Sequence, residues 1–154
     1  PYQFENKRNI ECHFQITAKE IHEQATSMSL NWSTFVHGAG TGGTMMGLKK
    51  YINQNNLSVD CVLTMPAEPG HSHGIQGIND GEDFLLDKTL MKEIVSITTI
   101  EAIDRMKTFA KETGLLVGIS SGANIAVAEK YAERHDFDGI IITMLCDRGE
   151  RYLD

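Results

Sequence analysis

Basic residues are in short supply. Against 21 Asp and Glu the 154 residues offer 14 Lys and Arg, a formal net charge of −7 with histidine neutral. Binding a phosphate backbone rests on clustered cations that release counterions, and no dense Lys/Arg stripe occurs here. Nucleic acid is therefore not an expected partner. Long apolar runs are also missing: the longest, residues 140–146, is 7 residues and contains Thr143, where a membrane crossing takes about 20. No membrane partner is expected. The first residues, Pro1-Tyr2-Gln3-Phe4-Glu5-Asn6, lack the basic start and apolar stretch of a secretory signal. Cysteine is scarce, with Cys12, Cys61 and Cys146 widely spaced, odd in number and without a C-x-x-C pair. That usage fits a reducing compartment better than a disulfide framework, and a cytoplasmic protein is expected.

Core-forming residues are plentiful. Hydrophobic residues make up 41% of the chain, and a fold of this size buries about 68–70% of the surface its unfolded chain exposes, without metal or disulfide staples. A single domain over residues 1–154 is the expected organisation.

Thr17-Ala18-Lys19-Glu20 has the form of a capping box and predicts a helix starting there and running to about Met28. Residues 32–36 are a short apolar run that stops at His37-Gly38-Ala39-Gly40-Thr41-Gly42-Gly43, after which Met45, Leu48, Tyr51 and Ile52 recur at helical spacing. Residues 59–65 read as a second buried strand, completing a strand-helix-strand unit of a parallel sheet. Residues 66–84 carry Pro66, Pro69 and four glycines, Gly70, Gly74, Gly77 and Gly81, and predict a long loop of the kind that is usually functional. Residues 94–97 predict a strand. Thr99 is the expected cap of a helix with Ile100, Ile103, Met106 and Ala110 on one face, ended by Gly114. Residues 115–119 read as another strand, residues 123–134 as a helix, and residues 140–145 as the last buried strand. The alternation predicts an α/β fold with an open, mostly parallel sheet and helices on both faces.

Three segments carry chemistry. A glycine-rich turn feeding a helix start can wrap an anion with unpaired amides at the positive end of the helix dipole, which singles out the glycine loop His37-Gly38-Ala39-Gly40-Thr41-Gly42-Gly43. The same glycines also suit a turn that merely lets strand and helix pack closely. Gly38, Gly40 and Gly43 further satisfy G-x-G-x-x-G, with Glu68 as a would-be ribose acid, so a nicotinamide-dinucleotide site is a competing reading. Ser120 and Ser121 follow a strand-like run at a helix start, where they either face a ligand crevice or cap their own helix. Cys146-Asp147-Arg148-Gly149 follows the last strand and would on its own read as a solvated turn. His71 and His73 lack further ligands at zinc-like spacing, and no metal is expected.

Four motifs in order carry a resemblance. Gly40-Thr41-Gly42-Gly43-Thr44, Gly74-Ile75-Gln76-Gly77-Ile78, Gly114-Leu115-Leu116-Val117-Gly118-Ile119-Ser120-Ser121-Gly122-Ala123 and Gly149-Glu150-Arg151-Tyr152-Leu153 together resemble the second half of cysteine synthase, or O-acetylserine sulfhydrylase, a fold-type-II pyridoxal-phosphate enzyme family. The likeness begins at Gln3-Phe4-Glu5-Asn6 and spans the chain.

The resemblance implies pyridoxal 5′-phosphate as cofactor, with its phosphate cradled by Gly40, Thr41, Gly42, Gly43 and Thr44 and its ring nitrogen facing Ser120. It also implies that Gly77 lies beside the reacting centre, that Gln3 lies near the carboxylate of a small amino-acid substrate, and that Cys146 and Asp147 resemble the B-type version of the active site. The implied reaction is β-replacement, O-acetyl-L-serine and sulfide giving L-cysteine and acetate; related scaffolds use O-phosphoserine or make diaminopropionate or cystathionine. In that family the Schiff-base lysine stands upstream in a Ser-x-Lys-Asp-Arg context, in which none of the nine lysines here is found. The expected identity is thus the C-terminal, phosphate-binding portion of a two-domain enzyme, inactive alone, without a catalytic residue of its own. A non-catalytic scaffold remains a further alternative. A homodimer, and binding of the serine acetyltransferase C-terminus, are also implied by resemblance.

Overall fold

Short apolar runs become four parallel strands, of which the two central in the sheet, residues 32–38 and 60–66, are buried along most of their length, as strands covered on both faces are. The computed structural model describes residues 2–78, 82–137 and 139–152. Strands β1 (Trp32–Gly38), β2 (Asp60–Pro66), β3 (Glu93–Ile97) and β4 (Ile140–Thr143) lie in the order β3-β2-β1-β4. Every neighbouring pair is parallel, with Val36 beside Val62 and Phe35 beside Ile142. The open, parallel α/β fold expected from the sequence is the observed one.

Helices cover both faces of the sheet. Phe35, Cys61 and Leu63 point to one side, where they pack with Met45, Leu48 and Ile52 of α3 (Gly43–Gln54) and with Ala18 and Ala25 of α2 (Ala18–Ser27). Val36, Val62, Val95 and Ile97 point to the other, against Ala102 and Met106 of α4 (Thr99–Thr113) and Ala123, Val127 and Tyr131 of α5 (Ile119–His135). Fully buried side chains such as Phe35, Leu63 and Ile97 each contribute roughly 1.5–3 kcal/mol of transfer free energy.

Four local expectations are corrected. Thr17 does not start a helix: the run begins at α1 (Arg8–Cys12), passes through a π-helical turn (His13–Thr17), and continues into α2. Thr17 has helical dihedrals and caps nothing, because inside an established helix there is no orphan amide for it to satisfy; its hydroxyl instead lies 2.9 Å from His13 Nδ1. The cap of α4 is Thr98, not Thr99. Thr98 is the extended residue, and it shares a reciprocal capping box with Glu101. Ile100 is consequently 72% exposed, while the buried stripe runs through Ala102 and Met106. Finally, residues 115–119 add no strand to the sheet. Val117 makes one antiparallel bridge to Arg148, and the Gly118 and Gly149 amides bond Asp147 O and Leu116 O, so this segment pairs with the turn after β4 and α5 begins at Ile119.

The topology itself marks a place for a ligand. From β1 the chain steps through α3 to β2 and on to β3, whereas β4 flanks β1 on the opposite side. Strand order therefore reverses beside β1, and the carboxyl ends of β1 and β4 border the crevice that such a reversal leaves open.

Candidate active site

That crevice is a cavity of about 640 Å³. The end of β1 and its glycine loop line it with His37, Gly38, Gly40, Thr41 and Thr44; α5 supplies Ser120 and Asn124; the chain leaving β4 supplies Met144, Leu145 and Cys146. Gln3, Phe4, Gly77, Ile78 and Phe84 complete the wall. Phe4 and Phe84 meet with ring centroids 4.6 Å apart, both partly exposed, so one side of the cavity is a solvent-facing apolar rim.

The glycine loop is built to approach its neighbours closely. Gly42 is the N-cap of α3 with φ +86, a conformation open to glycine at little cost. A Cβ on Gly40 would stand 2.7 Å from Gly77 O, so bare backbone is what lets the two cavity-lining glycines meet. No side chain caps α3 through Gly42, and the amides of its first turn sit at the positive end of the helix dipole. Thr41 Oγ1 accepts from Gly43 N at 3.1 Å and from Asn9 Nδ2 at 3.0 Å. Asn9 also donates to Gln3 O at 2.9 Å, which ties the Gln3 segment to the loop. Thr44 Oγ1 lies 3.3 Å from His13 Nε2, and partial burial lowers the His13 pKa.

Opposite the loop, α5 presents a buried polar face. Ser120 and Asn124 stand four residues apart and so share a side of the helix, and both are almost fully buried. Asn124 Oδ1 accepts from Gly38 N at 2.8 Å, while its Nδ2 lies 3.2 Å from both His37 Nδ1 and Met144 O. One side chain thereby joins β1, α5 and the exit from β4 beneath the cavity. Ser121 Oγ accepts from Cys146 N at 2.9 Å. Desolvation raises the Cys146 thiol pKa, and its sulfur lies 3.7 Å from both Asn124 Nδ2 and Met144 O. Burial, with His13 as a second cause, takes His37 down to about 4.

Of the residues singled out in the sequence, Gly40, Thr41, Thr44, Ser120, Gln3, Gly77 and Cys146 line this one cavity. Gly42 and Gly43 lie behind them, on a hollow of about 30 Å³ enclosed by residues 37–45. Asp147 is elsewhere: it borders neighbouring surface hollows with Arg148 and Glu150, and its carboxylate accepts from Tyr152 OH at 2.6 Å. Glu68, the acid required by the dinucleotide reading, accepts from Thr99 N at 2.7 Å at the start of α4 and is not part of the cavity wall. Sequence reasoning passed over Asn124, His37 and Asn9. The four-residue step from Ser120 to Asn124 and the single imidazole ending an apolar strand were available signals.

Relatives share this arrangement of elements. Residues 1–147 match the family described as pyridoxal-phosphate dependent enzyme, and the chain belongs to that family. It is 36% identical to cysteine synthase A of Salmonella typhi over 171 aligned positions, covering 98% of this chain and 51% of the relative. Cysteine synthase B of Campylobacter jejuni is 38% identical, with 98% and 52% covered. Among solved structures, a hydrogen sulfide-producing enzyme from Fusobacterium nucleatum superimposes with a TM-score of 0.92 at 34% identity, over 100% of this chain and 48% of that one. The chain spans about half the length of the curated relatives it matches.

The residues present fit the family's cofactor. A phosphate ester needs backbone donors that side chains do not crowd, and Gly40 and Gly42 are positions where an added Cβ would collide with Gly77 O or Leu86 N, at 2.7 and 2.6 Å. A pyridine nitrogen can accept a hydrogen bond from a hydroxyl, and Ser120, 5% exposed, lines the same cavity.

Proposed function

We propose that this chain forms the phosphate-binding portion of a two-domain β-replacement enzyme of the cysteine synthase type, which exchanges the acetate of O-acetyl-L-serine for sulfide to make L-cysteine. The observation that carries the reading is a single cavity bounded at one end by Gly40, Thr41 and Thr44 and at another by Ser120. The curated relatives named cysteine synthase support the choice of reaction.

Bound pyridoxal phosphate supplies an electron sink that lets an amino acid shed its α-proton and its β-substituent. The chain's own residues bind and orient. Backbone amides of the glycine loop and the Thr41 and Thr44 hydroxyls hold the phosphate, with Gly42 and Gly43 shaping the loop. Ser120, a neutral hydroxyl, meets the ring nitrogen without imposing a charge on it. Gly77 keeps the wall beside the reacting centre free of side chain, and Gln3 stands toward the substrate carboxylate. Cys146 borders the same space, and Asp147 holds the turn behind it. None of the described residues lining the cavity is a lysine, so the Schiff-base amine has to come from the part of the enzyme matched by the relatives' remaining half, and this portion alone is expected to be inactive.

The reading includes a cytoplasmic location, supported by three cysteines that are all free thiols. It also includes a homodimer, supported by exposed Ile16 and Met28, which a second subunit would cover, and capture of the serine acetyltransferase C-terminus at the cavity mouth. Titration with pyridoxal phosphate and with NAD, followed by thermal unfolding, tests the core of the reading. Only pyridoxal phosphate is expected to raise the Tm by ligand linkage; protection by NAD alone would overturn it.

A further inference from the structure

His37 is a buried titratable group to which the proposed function gives no task. It is the penultimate residue of β1, is 8% exposed, and lines both the main cavity and the small hollow inside the glycine loop. Its protonation pattern follows from its neighbours. A backbone amide can only donate, so the Asn124 atom that bonds Gly38 N at 2.8 Å is the carbonyl oxygen. The other Asn124 atom is then the amide nitrogen, a donor only, whose nearest acceptors are Met144 O and His37 Nδ1 at 3.2 Å, with Cys146 Sγ farther off at 3.7 Å; a proton on Nδ1 would set donor against donor. His37 Nδ1 is thus an acceptor, and a neutral ring must carry its proton on Nε2. Nε2 has no partner among the described residues, nor does it number among the buried polar atoms lacking one. It is a donor left free on the cavity wall, at the glycine-loop end.

We propose that His37 is a specificity-determining residue whose neutral Nε2–H donates to the phosphate held by the glycine loop, so that the site favours phosphorylated over unphosphorylated pyridoxal by more than its backbone amides achieve. The proposal rests on the cofactor reading above. Burial keeps the ring uncharged at neutral pH, with a pKa near 4, and a neutral donor can serve a phosphate without adding an unpaired charge to the site when the ligand is away.

The test titrates the full-length protein and its His37→Phe and His37→Gln variants with pyridoxal 5′-phosphate, with pyridoxal and with inorganic phosphate, reading binding by cofactor absorbance or calorimetry and folding by circular dichroism. Losing one hydrogen bond to a charged group is expected to weaken pyridoxal phosphate binding about 10- to 100-fold in His37→Phe. Pyridoxal binding stays unchanged, and His37→Gln, which keeps an N–H donor, recovers most of the loss. Weaker inorganic phosphate binding in His37→Phe would tie the effect to the anion rather than to the ring. A folded His37→Phe with an unchanged ratio of the two pyridoxal affinities would overturn the role of His37 and leave the cofactor reading intact. Failure of the unaltered protein to bind pyridoxal phosphate would overturn both. Nitrogen-15 resonances of His37 provide a check that needs no variant: a proton on Nε2 at pH 7 whose signal moves with pyridoxal phosphate is expected, and a proton on Nδ1 refutes the assignment.

Discussion

Replacing Asn124 by alanine removes one buried side chain and takes a partner from Gly38 N–H, Met144 O and His37 Nδ1, and a longer contact from Cys146 Sγ. The amide of Gly38 lies in a buried strand end and carries the full cost of an unsatisfied buried donor, about 1–3 kcal/mol. Met144 O and His37 border the cavity, where water can replace the lost bond, so together with lost packing they add about 1 kcal/mol more. The total is about 2–4 kcal/mol. In a chain of 154 residues each kcal/mol corresponds to roughly 2–4 °C of Tm, which places the expected drop at about 5–15 °C. Thermal unfolding by circular dichroism, with urea titration as a second measure, reads this directly. Asn124→Asp gives a sharper version. Its first oxygen still accepts from Gly38 N, but its second oxygen faces Met144 O and His37 Nδ1, both acceptors, and a proton must be found for the arrangement to hold. The variant is expected to be at least as unstable as Asn124→Ala at pH 8, and to regain stability as the pH falls toward 5.5. An Asn124→Ala Tm within about 2 °C of the parent, or an Asn124→Asp stability that does not depend on pH, would refute the view that this amide binds the floor of the cavity together.

Other outcomes follow from the same geometry. His37 has a folded pKa of about 4, below the roughly 6.5 of an unfolded histidine. Its contribution is therefore full above pH 6.5 and is lost as the pH falls toward 4, up to about 3 kcal/mol, and urea titrations of His37→Gln should show a flatter profile across that window. Gly40→Ala drives a Cβ to within 2.7 Å of Gly77 O and should reduce pyridoxal phosphate affinity at least tenfold by opening the cavity, measured by absorbance titration. Thr98→Ala removes the cap of α4 and should cost about 1 kcal/mol in chemical denaturation. Ser120→Ala should leave the Tm without ligand within about 2 °C of the parent while diminishing the Tm gain on adding pyridoxal phosphate.

Much of this fold was legible because hydrophobic spacing dictates it. The runs at 32–36 and 59–65 became β1 and β2 within a residue or two, and the glycines after β1 marked the start of α3. What escaped prediction depended on partners distant in sequence. A capping-box pattern at Thr17 was silent because residues upstream had already begun the helix, and the π-helical turn there packs on Gly47, where an added Cβ would meet His13 Cβ at 2.5 Å. The apolar run at 115–119 resembled a strand, yet its backbone found partners at 147 and 149. For the cavity, the glycine loop and Ser120 stood out by residue type alone. Asn124 and His37 did not, since their importance lies in hydrogen bonds that link positions 86 and 87 residues apart along the chain.

The central claim is that one pyridoxal phosphate molecule spans from the glycine loop to the start of α5. Amide hydrogen exchange of the full-length protein during titration with that cofactor measures it most directly. Protection of residues 40–44 and of residues 120–121 is expected to rise together, with one midpoint. Protection of either segment without the other, at saturating cofactor, would contradict the account.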